Sequence, residues 1–225
     1  MYNKLVDIVK NKLKSSSHDL SHTFRVYNNC LKIAKTEPGC NANIKILTAA
    51  ALLHDIARPE EDAPTDGKKV DHAILGAEQS KEILLSLGEP ITFAESVAGA
   101  IKTHRFRGGL VPETIEAKIL FDADKLDVIG NIGIARSYMF AGEQKQEIYN
   151  DCDINEYIKT NLVGGTASGK IIDISKHTPN IEFLTKNVHI PEKMFTETGK
   201  KIALLRLKRM EEFFQILHQE IRGVM

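Results

Sequence analysis

The stretch IKILTAAALLHDIA, Ile44 to Ala57, decides the fold. It is almost wholly apolar, and a helix tolerates that composition only when neighbours surround it on most sides. The reading is therefore a central helix with other helices packed around it. The stretch ends on His54-Asp55. Both side chains then start from buried backbone, and a buried carboxylate beside a buried imidazole is costly unless something compensates, as a divalent cation would. A polar pair that merely terminates a core helix is the plainer alternative for the dipeptide taken alone.

Outward from that helix, apolar residues recur three and four apart. Leu5, Ile8, Val9 and Leu13 form one such set, Phe24, Tyr27, Leu31 and Ala34 another, and Ile83, Leu84 and Leu87 a third, each the signature of a helix face. Breakers separate these segments: Pro38-Gly39, Arg58 to Gly67 with two prolines, Gly88-Glu89-Pro90, and Arg107-Gly108-Gly109 before Pro112. Five or more helices with short loops are predicted. Strand signals are scarce: only Lys170 to Ile174 alternates, and aromatic residues make up 6% of the chain. The expected class is an all-α bundle. One domain spanning 1–225 is expected, with a site-bearing core at about 18–130, a looser excursion at about 143–190 and a closing C-terminal helix at about 196–222.

Composition narrows the function. Thirty Lys plus Arg balance thirty Asp plus Glu, so no overall field favours a nucleic acid or an anionic membrane, and the substrate is sought in a local site. Cys30, Cys40 and Cys152 form no C-x-x-C pair, which suggests neither a disulfide framework nor a thiolate zinc site and fits a reducing cytoplasm. The amino terminus, MYNKLVDIVKNKLK, reads as an amphipathic helix and not a signal peptide. No run approaches the ~20 apolar residues needed to span a bilayer.

Histidines at 18, 22, 54, 72 and 104 lie at or near the ends of predicted helices, alongside acidic residues. Dispersed helix-borne ligands are how bundles build metal sites. In His18-Asp19-Leu20-Ser21-His22, Asp19 can cap a helix, while His18 and His22 stand one turn apart on one face. Asp122-Ala123-Asp124-Lys125-Leu126-Asp127 falls in a helix whose buried side is marked by Ile115, Ile119, Ala123 and Leu126. Asp122 and Asp124 point in nearly opposite directions there, so one ion is not expected to bind both. A solvated acidic face is the ordinary reading of three acids in six residues; the flanking apolar residues argue that at least one acid is inward.

His22-Thr23-Phe24-Arg25-Val26, Leu53-His54-Asp55-Ile56 and Asp124, in that order and in helical contexts, resemble the HD superfamily of metal-dependent phosphohydrolases. The resemblance extends to a bacterial and archaeal subgroup through His72-Ala-x-x-Gly76-Ala77, His104-Arg105-Phe106, Glu116-Ala117-Lys118-Ile119-Leu120, Asp122 to Asp127 and Thr196-Glu197-Thr198-Gly199-Lys200; it is weakest at 143–190. It implies an all-helical fold and a divalent metal held by His22, His54, Asp55 and Asp124, with Asp122 as the fallback fourth ligand. It also implies hydrolysis of phosphate esters or anhydrides, often in nucleotides. Mn²⁺ is the metal expected first; imidazole and carboxylate donors also accommodate Fe²⁺, Co²⁺, Ni²⁺ or Zn²⁺, with Mg²⁺ a further alternative. Such a metal would supply both an acidic water and a polarised phosphoryl oxygen.

His72 and His104 either complete a second metal site, as in two-metal relatives of this fold, or face the phosphate as donors. Arg25 and Lys125 are candidate phosphate anchors, and His18, Asp19 and Asp122 candidate supports. The expected activity is on a small nucleotide-like phosphate, with a deoxynucleoside triphosphate pyrophosphohydrolase in front, a two-metal phosphodiesterase second, and a nucleotide-sensing module as the non-enzymatic alternative. Homodimerisation is left open. Residues around 58–70 and 105–112 and the excursion carry no legible motif for base selection, and Arg58 to Lys69 reads as a charged lid. Gly164 to Lys170 matches G-x-x-x-x-G-K, but Ile171 stands where a magnesium-binding Ser or Thr is required and no buried strand precedes it, so a P-loop is not expected.

Overall fold

The computed structural model describes residues 1–13, 20–63, 70–105, 109–167 and 169–224. Among them are eleven α-helices and no strand. The chain divides into two compact units, Met1–Asp124 with Met194–Gly199, and Lys125–Lys193 with Lys200–Met225.

The first unit is organised around α3 (Ile44–Leu53), on which α1 (Tyr2–Lys12), α2 (Leu20–Thr36) and α6 (Ile91–Lys102) pack. Leu47, Ala49, Ala50, Ala51, Leu52 and Leu53 are all buried, so the apolar run is apolar because nearly every side of it is covered. Each fully buried Leu or Ile contributes about 1.5–3 kcal/mol. Asn43 caps the helix, its side chain accepting from the Lys45 and Ile46 amides. The helix stops at Leu53, and residues 54–57 form a turn.

A short helix α4 (Arg58–Asp62) follows, with Pro59 in its first turn. The breaker stretch Arg58 to Gly67, expected as a loop between helices, is helical over these five residues; 64–69 lie outside the described residues. Proline's fixed φ suits a first helical turn, so here it starts a helix. Helices α5 (His72–Ser86) and α6 form an antiparallel hairpin. Gly88 takes φ +80° at its corner, and the Glu89 amide reaches back to the Leu84 carbonyl, a helix stop that needs a left-handed residue. Gly76 sits where a Cβ would lie 3.5 Å from the His54 carbonyl oxygen and 3.7 Å from Ala57 Cβ, so α5 packs directly on the 54–57 turn. Helix α7 (Ile115–Leu126) buries Ala117, Ile119, Leu120, Phe121 and Ala123.

The second unit contains α8 (Gly130–Glu143), α9 (Ile154–Asn161), α10 (Pro179–Thr185) and most of α11 (Glu197–Ile221). The excursion is thus more ordered than its sequence suggests: Tyr157, Leu162 and Ile181 make a small apolar cluster joined by Ile154, Ile158 and Ile171. The alternating Lys170 to Ile174 yields one isolated bridge, Leu162 to Ile171, and no sheet. No helix of the described residues is long and apolar enough to cross a membrane.

Candidate metal centre

Six side chains of the first unit meet at the end of α3. His22 comes from α2, His54 and Asp55 from the turn after α3, His72 from the first position of α5, His104 from just beyond α6, and Asp124 from α7. His22, His54, Asp55, His72 and His104 are each at most 3% exposed. Their donor atoms form two groups of metal-ligating geometry, His22, His54 and Asp124 in one, and Asp55, His72 and His104 in the other.

Asp55 stands between the groups. Its Oδ2 lies 3.5 Å from His22 Nε2 and 3.6 Å from His54 Nε2, while its Oδ1 lies 3.6 Å from both His72 Nε2 and His104 Nε2. Asp124 Oδ1 is 3.5 Å from His22 Nε2 and 4.0 Å from His54 Nε2. One carboxylate oxygen therefore faces each pocket.

Tautomers make the arrangement chemically pointed. His54 Nδ1 is 2.8 Å from the Ala51 carbonyl, His104 Nδ1 is 2.6 Å from the Ile101 carbonyl, and His72 Nδ1 is 2.7 Å from Glu61 Oε2. Each of these partners is an acceptor, so each Nδ1 carries the proton and each Nε2 presents a lone pair. Yet His72 and His104 bring their Nε2 atoms to 3.2 Å, and His54 and His22 do the same. In the His72–His104 pair two lone pairs face each other at that distance and repel, and a cation that both ligate would reconcile them; His22 can also donate to the His54 lone pair. Burial holds His54 in its neutral form, with its pKa lowered to about 4 despite the opposing charge of Asp55. Burial, with help from the Arg58 charge, likewise lowers His72 to about 4. Burial alone would push the Asp55 carboxyl up, but its polar surroundings, the Arg58 guanidinium among them, hold it well below the usual carboxylate range. Neutral imidazoles and ionised carboxylates are the donor set that divalent cations require, so these residues fit the metal.

The two aspartates of α7 part company as their helical positions demand. Asp124 joins the histidines, whereas Asp122 is buried among the residues that start α11, accepting from the Phe195 amide (2.9 Å), the Thr196 amide (2.8 Å) and the Thr196 hydroxyl (2.6 Å). Burial nevertheless pushes Asp122 up to about 6, against those hydrogen bonds. The Glu197 and Thr198 amides donate to Glu37, and Gly199 donates to Thr196 Oγ1, so two acids and a threonine satisfy the free amides of this helix start.

The remaining candidates lie as follows. Arg25 donates to Ser21 Oγ at 2.5 Å. Lys125 is 9% exposed, so it is not a solvated surface charge. His18 and Asp19 lie outside the described residues. Gly164 to Lys170 belongs to the second unit, where Val163–Gly165 is a 3₁₀ turn and the Lys170 carbonyl accepts from the Val163 amide. Sequence reading passed over three residues beside the centre. Glu61 holds His72; Arg58 reaches Glu61 Oε2 at 2.5 Å and Asp55 Oδ1 at 3.5 Å; Arg105 reaches Glu61 Oε1 and Asp71 Oδ2, both at 2.8 Å. Only the position of Arg58, three residues past Asp55, hinted at this.

The fold and the site together define an all-helical protein with a buried histidine–aspartate cluster that could hold metal. Comparisons with known proteins agree. The HD domain family model matches residues 19–129. A predicted HD superfamily hydrolase of known structure from an uncultured Thermotogales bacterium is 30% identical, with a TM-score of 0.64 over 97% of this chain and 91% of that one. YpgQ of Bacillus subtilis (strain 168) is 29% identical over 215 residues, 94% of this chain and 88% of YpgQ. The structure of YpgQ in complex with ADP matches at a TM-score of 0.71 and 25% identity, covering all of both chains. The chain belongs to the HD domain superfamily of hydrolases.

Proposed function

We propose that the chain hydrolyses a phosphate ester or anhydride bond in a nucleotide, using two divalent cations. The first would be held by His22, His54, Asp124 and Asp55 Oδ2, the second by His72, His104 and Asp55 Oδ1. The observation that carries this reading is the pair of Nε2–Nε2 approaches at 3.2 Å on the two sides of one carboxylate. A single-metal centre would account for the first pair and leave the second repelling. Cations held there would supply an acidic water and would withdraw charge from the phosphoryl oxygens.

The chain's own contribution is positioning. Backbone carbonyls of Ala51 and Ile101 aim two of the imidazoles, and Glu61 aims a third. Arg58, three residues past the bridging Asp55, reaches Asp55 Oδ1 at 3.5 Å and so sets a guanidinium charge beside the centre, where a phosphate needs a cationic partner. Mn²⁺ is the cation to test first. The ADP held by YpgQ supports a nucleotide as the substrate class, with deoxynucleoside triphosphates tested first for pyrophosphate release. The bridging carboxylate favours one second reading, a phosphodiesterase acting on a cyclic or linear nucleotide.

The test is turnover of a panel comprising nucleoside and deoxynucleoside di- and triphosphates and cyclic nucleotides, with Mn²⁺ added and phosphate, pyrophosphate and monophosphate resolved. Metal-dependent release from any nucleotide, lost in His54→Ala, supports hydrolysis, and the product identifies the bond. Binding of ADP with no turnover of any member would replace the enzyme with a nucleotide-sensing module.

A further inference from the structure

Three of the four histidines have a visible partner on Nδ1, and they are not served alike. His54 and His104 each follow a helical turn, and each borrows the carbonyl three residues back, Ala51 and Ile101. His72 occupies the first position of α5, so no preceding turn of its own helix can offer a carbonyl. Glu61 of α4 fills that place at 2.7 Å. The carboxylate is itself held from both sides, by Arg58 on Oε2 and by Arg105 on Oε1. Arg105 is tied in turn to Asp71, the residue whose side chain caps α5 immediately before His72.

The two pockets also differ in charge. The first has Asp124 to itself and shares Asp55; the second has only its share of Asp55. A cation there depends more heavily on how basic and how well aimed its imidazoles are. A carboxylate on the far nitrogen fixes the tautomer, fixes the ring and makes the ligating nitrogen a stronger donor.

The geometry points to Glu61 as the positioning residue of the second metal pocket, which ties that pocket's affinity, and not the first pocket's, to helix α4. This inference rests on the two-cation reading above. It makes Glu61 the difference between a centre that fills one pocket and a centre that fills both at a given metal concentration.

The experiment is a calorimetric titration of the metal-free chain with Mn²⁺, in the natural sequence and in Glu61→Gln and Glu61→Ala. Because α4 buries no residue of its own, both variants are expected to fold, and binding of the first equivalent reports that they have. The expected result is two equivalents in each, with the second weakened about 10–100-fold in Glu61→Ala, less in Glu61→Gln, whose amide oxygen can still accept from His72, and the first changed by less than about twofold. Two equivalents of unchanged affinity in both variants would overturn the inference and leave the two-cation reading standing. Equal weakening of both equivalents would also overturn it, since a general structural role predicts that. A single equivalent in the natural sequence would remove the two-cation reading and the inference with it.

Discussion

Asp55→Asn exchanges a carboxylate for an amide of nearly the same shape, at a point 3.5–3.6 Å from four imidazole nitrogens. At ~4 Å and an effective dielectric constant of ~20, one unit charge interacts with another by about 4 kcal/mol. A divalent cation feels about twice that, so with about 1.4 kcal/mol per factor of ten a cation in either pocket should bind at least about 10³-fold more weakly. The loss is uneven: the first pocket retains Asp124 and the second retains no carboxylate, so the second should fall below detection while the first is still measurable. Competition for Mn²⁺ between the variant and a fluorescent chelator of known affinity resolves both constants. Retention of both cations within about tenfold of the original affinities would refute the charge argument, and loss of one with the other untouched would refute the bridging position.

Other consequences test the supports of the site and the second unit. A Cβ at Gly199 would stand 2.7 Å from Thr196 Oγ1 and within touching distance of the Asp122 carboxylate, so Gly199→Ala should break that anchor and cost about 1–3 kcal/mol in urea unfolding; an unchanged midpoint would mean the anchor is slack. In the second unit, burial alone would raise Glu182, but Lys186 and His177 hold its pKa down to about 2, from an ordinary 4.5. The folded state thus binds fewer protons than the unfolded chain as pH falls below about 4.5, so the stabilisation is full above that value and is lost toward pH 2, about 3 kcal/mol in all. Glu182→Gln should flatten that part of the stability–pH curve; a variant with the same acid limb as the natural sequence would show that the ion pair contributes nothing. Finally, chelation should lower the thermal midpoint, since cations at 100 times their Kd add about 2.7 kcal/mol; a midpoint indifferent to chelator and to added Mn²⁺ would speak against a metal centre.

Much of the site was legible because burial and chemistry coincide in the sequence. The apolar run from Ile44 to Leu53 could only be a covered helix, and a histidine and an aspartate at its end stand out against that background. The opposed directions of Asp122 and Asp124 were also readable from helical geometry, though the choice between them rested on resemblance, because the partners of Asp122 lie 73 and 74 residues away at Phe195 and Thr196. Spacing alone gave no reason to put His72 and His104 on the far side of Asp55, since their convergence depends on how the α5–α6 hairpin packs on the 54–57 turn. Glu61 was invisible for a related reason. Arg58-Pro-Glu-Glu-Asp62 has no apolar residue to betray a helix face, and it reads as charged loop until His72 is placed beside it.

Whether one carboxylate serves two cations decides between a one-metal and a two-metal centre. Crystals of the chain grown with Mn²⁺ and measured on either side of the manganese absorption edge test it most directly. Two anomalous peaks are expected, one among His22, His54 and Asp124 and one between His72 and His104, with an oxygen of Asp55 directed at each. A single peak among His22, His54, Asp55 and Asp124, with His72 and His104 left to one another, would contradict it.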